Sequence, residues 1–171
     1  MNGFRLLRIA VPALLPVIAA CGDDNNEPAQ ATNFSATLAG TNEVPAVTTP
    51  ATGTATLSVS GSQITYTIEV ADLQNPVLAH IHIAPAGENG PVRLNLCGTT
   101  DSPPCSSGTS VLVTGTNGAT VGTPPITFDS LLSAMRTNGA YVNVHTSSEG
   151  CTPGEPGCNP GGEIRGQVVA D

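Results

Sequence analysis

The sequence predicts an all-β domain, an antiparallel β-sandwich or Greek-key barrel with one short helix. Short runs of alternating apolar and polar residues recur roughly every ten residues, which is typical of strands. Between these runs lie turn residues, supplied by 19 glycines and 15 prolines among 171 residues. Regularly spaced short strands with turns between them favour packed or closed antiparallel sheets over parallel ones.

Eight segments of this kind are predicted strands. The clearest is Ile64–Val70, in which every second residue is large and apolar, and Gly61-Ser62 before it suits a hairpin turn. The full set is Phe34–Leu38, Thr54–Val59, Ile64–Val70, Leu78–Ile83, Val92–Leu96, Val111–Thr114, Tyr141–Thr146 and Glu163–Val169.

A single helix is predicted at Asp129–Arg136. Thr127 or Asp129 would cap its N-terminus, because both side chains accept hydrogen bonds from free backbone N–H groups. The pair Asn138-Gly139 tolerates the left-handed backbone that ends helices.

Residues 1–20 have the pattern of a secretory signal. Arg5 and Arg8 precede the apolar run Ile9–Ala20, which is too short for a stable membrane span. Cys21 follows small residues and resembles the cysteine of the bacterial lipobox, which is cleaved and acylated. An ordinary signal peptide followed by an incidental cysteine is the alternative.

The predicted organisation is a lipoprotein signal at residues 1–20, a flexible acidic tether at 21–33 and one domain at 34–171. We expect an exported protein anchored by lipid on Cys21, at the outer membrane if the source is a diderm bacterium, because Gly22 and not Asp follows the cysteine. Beyond the signal, three of the five basic residues remain against 13 acidic residues. Such a negative surface repels phosphate backbones and anionic headgroups, which excludes nucleic acid and leaves lipid for membrane contact.

Four cysteines remain in the predicted domain, an even number that indicates disulfides in an exported chain. Three pairings are open. The short Gly-, Pro- and Ser-rich loops within each pair favour Cys97–Cys105 and Cys151–Cys158.

The three histidines all fall in predicted strands. His80 and His82 are two residues apart, so their side chains project from the same face, opposite apolar neighbours. The polar residues that the same alternation turns outward are His80, His82, Tyr141, Asn143, His145, Glu163, Arg165 and Gln167.

If these strands are neighbours, His80, His82 and His145 gather on one sheet. Three neutral nitrogen ligands suit one copper or zinc ion, with Glu163 or Glu43 as fourth ligand. A hydrogen-bonded polar network is the alternative: Glu43, Asn143 and Arg165 would form it, Arg165 pairing with Glu43 or Glu163, with histidines filling semi-buried gaps.

Enzyme classes are disfavoured by missing residues. Three histidines cannot build a dinuclear copper–zinc site, and a blue-copper site needs a free thiolate. The chain has no Gly-x-Ser-x-Gly elbow and no phosphate-binding Gly-rich loop, which argues against hydrolase and nucleotide chemistry. With no Trp and two Tyr, sugar stacking is poorly supported.

Several sequence blocks together resemble the CHRD domain, a family named for its repeats in chordin and found also in bacterial exported proteins. They are Gly40–Pro45, Gly53–Leu57, Ala79–His82 with Asn89–Pro91, Asn138–Thr146 and Gly162–Gln167. The resemblance implies an extracytoplasmic β-sandwich of immunoglobulin-like or superoxide-dismutase-like shape, without an established catalytic activity. The two cysteine-bearing loops depart from the usual pattern.

From this we expect a non-catalytic binding or structural role at the cell envelope, with an envelope or extracellular protein as partner. The alternative is a mononuclear copper- or zinc-binding protein that uses the three histidines.

Overall fold

A computed structural model describes residues 30–108 and 110–171. The predicted signal segment, Cys21 and most of the tether lie outside the described residues. The strands are β1 (Asn33–Ala39), β2 (Thr52–Ser60), β3 (Gln63–Ala71), β4 (Pro76–Ile83), β5 (Val92–Cys97), β6 (Val111–Asn117), β7 (Ala140–Thr146), β8 (Ile164–Gln167) and β9 (Val169–Ala170). Helix α1 (Phe128–Arg136) lies between β6 and β7, and a 3-10 turn (Gly40–Asn42) follows β1.

The strands form one antiparallel sheet in the order β5-β4-β7-β8-β1-β2-β3-β6, with β9 also pairing with β1. The two end strands approach each other, because Leu94 of β5 bridges Thr120 and the Asn117 side chain donates to the Asn95 carbonyl oxygen at 2.9 Å. The sheet is therefore a nearly closed barrel, which confirms the predicted all-β class with one short helix. Within the described residues no helix combines the length and apolar character needed to span a membrane.

The predicted elements match the observed ones closely, with one difference at the C-terminus. The single strand predicted at Glu163–Val169 is divided into β8, which pairs with β7 and β1, and β9, which pairs with β1. The division falls at Val168, whose N–H donates to the Ala140 carbonyl while its side chain is fully buried. Thr127 caps the helix by accepting from the Ser130 N–H at 3.1 Å, and Asn138 ends it with φ of 55°.

The barrel core is filled by the apolar sides of the alternating strands. Ile64, Tyr66 and Ile68 of β3 are at most 1% exposed, and Val142 and Val144 of β7 are fully buried. The Tyr66 hydroxyl crosses the interior and donates to the Leu96 carbonyl oxygen on β5 at 2.7 Å. Alternation along each strand therefore assigned the core correctly.

Two disulfides join Cys97 to Cys105 and Cys151 to Cys158, at sequence separations of 8 and 7 residues. This confirms the favoured pairing of the three that the sequence left open. Each bridge closes a local loop, so neither joins distant parts of the barrel.

The outward face of β4, β7 and β8 points away from the core, as alternation predicts, yet it is buried. Two loops cover this face: residues 84–91 after β4 and residues 147–163 after β7. The side chains that they cover include His80, His82, Tyr141, Asn143, His145 and Arg165, each at most 8% exposed. We call this surface the covered face. It is the place where polar side chains meet away from water.

Candidate metal centre

The three histidines converge on the covered face. His80 and His82 lie on β4, and His145 lies on the neighbouring strand β7. One ring nitrogen from each histidine lies within 4.8 Å of those of the other two. The closest pair is His80 Nδ1 and His145 Nε2, 3.2 Å apart. The convergence predicted from the two-residue period is therefore present.

Backbone carbonyls set the tautomers of two of these rings. His82 Nδ1 lies 2.9 Å from the Gly90 carbonyl oxygen, and His145 Nδ1 lies 3.0 Å from the Pro160 carbonyl oxygen. A carbonyl only accepts hydrogen bonds, so both Nδ1 atoms carry a hydrogen and both Nε2 atoms keep a lone pair. Loops 84–91 and 147–163 thus each orient one imidazole.

The lone pairs are not all satisfied within the protein. His82 Nε2 is buried and has no hydrogen-bond partner among the described residues. His145 Nε2 is an acceptor in the tautomer described above, so His80 Nδ1–H donates to it. If the His80 hydrogen moves from Nδ1 to Nε2, which keeps the ring neutral, a metal ion would meet three nitrogen lone pairs, the donor set that copper and zinc prefer.

The electrostatic surroundings keep the imidazoles neutral. Burial, together with the two neighbouring imidazoles, lowers the pKa of His80 to about 4. Burial also lowers the pKa of His82 to about 4, despite the opposing effect of its hydrogen bond to Gly90. The pKa of His145 is lowered for the same main reason. All three rings therefore hold the protonation state that binds metals.

A stack of side chains supports His82. Its ring lies parallel to that of Tyr141, with centroids 4.8 Å apart and planes inclined by 12°. The Arg165 guanidinium carbon lies 3.3 Å from the centroid of the same tyrosine ring. Arg165 donates to Asn89 Oδ1 at 3.1 Å and to the Glu88 carbonyl oxygen. The guanidinium thus joins loop 84–91 to the histidine cluster and adds positive charge beside it.

Glu163 lies outside the group of mutually close ligand atoms found among the described residues. Its Oε2 atom accepts hydrogen bonds from Thr146 Oγ1 at 3.0 Å, the Gly157 N–H at 3.0 Å and Asn159 Nδ2 at 2.6 Å. The Glu163 carboxylate therefore stabilises the conformation of loop 147–163. The same loop contains Pro160, whose carbonyl orients His145.

Glu43 is buried beside the same loops, at 7% exposure. Burial raises its pKa to about 7, although the charge of Arg165 and a hydrogen bond from Asn143 act in the opposite direction. The charge of Glu163 adds to the increase. The residues of the predicted polar network, Glu43, Asn143 and Arg165, thus lie close together next to the histidines.

Reasoning from the sequence missed the groups that orient the site. The carbonyls of Gly90 and Pro160 leave no side-chain signature, and the stacking of Tyr141 on His82 requires the register between β7 and β4. The turn residues Asn89-Gly90-Pro91 were the one available signal, because they mark a tight loop immediately after the His-x-His strand.

The lowered histidine pKa values predict that the metal-free protein loses stability in acid. Between pH 6.5 and about 4 the unfolded chain binds protons at His80 and His82 that the folded protein does not, so the free energy of unfolding falls as the pH falls. Glu43 acts oppositely between pH 7 and 4.5, since its folded form binds the proton first.

Urea denaturation of chelator-treated protein at several pH values measures this slope. We expect His80→Gln to reduce the fall in the free energy of unfolding between pH 6.5 and 4. Glu43→Gln should make that fall larger. A slope that neither variant changes would contradict the assignment.

Comparison with known proteins gives a match to one family. The family model of the CHRD domain matches residues 34–168. Neither curated proteins nor solved structures gave a match to this sequence. The matched region includes all three histidines, both disulfides and every strand except the first residue of β1 and the whole of β9. Because the match covers most of the sequence, the chain belongs to the CHRD domain family.

Proposed function

We propose that this CHRD domain binds one copper or zinc ion through His80, His82 and His145. We further propose that it belongs to an exported, lipid-anchored protein with a non-catalytic role at the cell envelope. The observation that carries the metal proposal is the buried Nε2 of His82, which has no partner among the described residues, on a ring with a nitrogen within 4.8 Å of nitrogens of two other histidines.

The donor set selects the class of metal. Three imidazole nitrogens without a carboxylate favour copper or zinc over calcium or magnesium, which prefer oxygen. Nitrogens bound at about 2 Å from one ion are at most about 4 Å apart. The present separations of up to 4.8 Å would therefore have to shorten when an ion binds.

The surroundings of the rings support the same function. Metal-binding histidines usually donate their second N–H to a carbonyl or carboxylate, which fixes the ring. His82 and His145 do so to Gly90 and Pro160. The three histidines are only 7–8% exposed, which leaves little access for a substrate and favours metal binding without catalysis.

Metal analysis of protein purified without a histidine tag tests the proposal. We expect about one equivalent of copper or zinc and a melting temperature that rises by several degrees with added metal, because the ion binds only the folded state. His82→Gln should lower the affinity at least tenfold. Gln63→Ala, which alters an exposed side chain on β3, should leave it unchanged.

Protein that retains no metal and melts identically with and without it would end the metal proposal. A binding or structural role at the envelope, independent of metal, would then remain.

The two disulfides offer a matched test of how loop 147–163 supports the site. They close loops of similar length, so removing either should cost about 2–4 kcal/mol of stability. The Cys151–Cys158 bridge lies in the loop that carries Pro160, so Cys151→Ser with Cys158→Ser should also weaken metal binding about tenfold. Cys97→Ser with Cys105→Ser should not. Equal metal affinity in the two double variants, measured by competition with a chelator, would refute a supporting role for the loop.

The lipid anchor is proposed from the pattern of residues 1–21 and is tested separately. Expressed with its full N-terminus in a bacterium, the protein should partition into the detergent phase after cloud-point separation. Cys21→Ser should move it to the aqueous phase. A wild-type protein that is processed but remains aqueous would indicate an ordinary signal peptide.

A further inference from the structure

A second cluster of polar atoms lies on the covered face and shares no residue with the three histidines. Its members are Glu43, Asn143 and Glu163, which are 7%, 3% and 0% exposed. One oxygen of each, namely Glu43 Oε1, Asn143 Oδ1 and Glu163 Oε1, is buried and accepts no hydrogen bond from residues 30–108 or 110–171. Buried acceptors without partners are rare in folded proteins because their lost hydration is costly.

The oxygens of Glu43 and Asn143 face one point. A Cβ atom added to Gly162 would lie 2.6 Å from Glu43 Oε1 and 2.7 Å from Asn143 Oδ1. Gly162 also has φ of 140°, a conformation that side-chain-bearing residues rarely adopt. Both oxygens therefore pack against the backbone of Gly162, where only glycine leaves them room.

Glu163 follows Gly162 directly in the sequence and carries the third unpartnered oxygen. Three donors hold its Oε2 atom, those of Thr146, Gly157 and Asn159. These contacts leave Oε1 as the unpartnered atom. The charge of Glu163 also contributes to the raised pKa of Glu43.

The nearby cation does not satisfy these oxygens. The positive charge of Arg165 acts to lower the pKa of Glu43. The hydrogen bonds of its guanidinium, however, go to Asn89 Oδ1 and to the carbonyl oxygens of Pro85 and Glu88. These hydrogen bonds are directed to loop 84–91. The cluster therefore retains free oxygen lone pairs.

We propose that Glu43 Oε1, Asn143 Oδ1 and Glu163 Oε1 bind a calcium ion. Carboxylate and amide oxygens are the ligands of hard cations, and calcium accepts irregular oxygen cages more readily than magnesium, which requires a near-ideal octahedron. The metal is therefore of a different class from the one that the histidines bind, and the two sites are independent.

A cavity of about 250 Å³ borders the proposed site and is lined in part by Glu43, Asn159, Pro160, Gly161 and Gly162. It provides a route of entry for the ion. It also gives room for the water molecules and backbone carbonyls that complete a calcium shell of six to eight oxygens.

Thermal melting with CaCl₂, MgCl₂ and NaCl at equal ionic strength tests the proposal. The His82→Gln protein is used beside the wild type so that binding at the histidines does not contribute. We expect CaCl₂ to raise the melting temperature of both proteins equally, with a Kd of about 0.1–1 mM as in extracellular calcium modules. MgCl₂ and NaCl should have much smaller effects.

Isosteric variants assign the ligands. Glu43→Gln and Glu163→Gln should each weaken calcium binding more than tenfold in titration calorimetry, whereas Glu69→Gln, an exposed residue on β3, should not. If Glu163→Gln fails to fold, the calcium affinity of Glu43→Gln alone tests the assignment of ligands.

Three results would overturn the proposal: no response to calcium, an equal response to magnesium, or unchanged calcium binding in Glu43→Gln. No response to calcium is expected if a water molecule, or a proton shared between these oxygens, already satisfies the cluster. Because the histidine variant is included, failure of this site is distinguishable from failure of the copper or zinc site.

Discussion

Burial of a polar sheet face is the constraint on which the rest of this structure depends. An antiparallel barrel normally exposes its outer polar face to water, which satisfies the side chains there. Here loops 84–91 and 147–163 cover the outer face of β4, β7 and β8. Every polar group beneath them must therefore find a partner within the protein or lose hydration without compensation.

Backbone carbonyls provide many of these partners, and this determines the chemistry of the histidines. The carbonyls of Gly90 and Pro160 accept from Nδ1 of His82 and His145. Each ring thus keeps its Nε2 lone pair free of the backbone, and that of His145 faces His80. Burial lowers the histidine pKa values, so the rings stay neutral at physiological pH. Covering the face therefore orients the imidazoles and also keeps them in the protonation state of metal ligands.

Beneath these two loops, nitrogen and oxygen atoms that could bind a metal ion lie in different places. Nitrogen atoms collect where β4 and β7 pair, while oxygen atoms collect around Gly162 at the start of β8. Arg165 lies near both groups, stacked on Tyr141 on one side and acting on Glu43 on the other. Its positive charge lowers the pKa of His82 and opposes the increase at Glu43. One guanidinium thus influences both clusters without donating a hydrogen bond to either.

The sequence by itself determined the all-β class, the strands, the helix, the disulfide pairs that its loops favour and the common face of His80 and His82. Each of these follows from local signals: the two-residue period, turn residues and short loops between cysteines. The split of the last strand, the burial of the outer face, the carbonyls that orient His82 and His145, and the position of Glu163 outside the histidine cluster were decided only by the tertiary structure. They depend on where long loops fold and on the register between strands distant in sequence, which local patterns of residues do not encode.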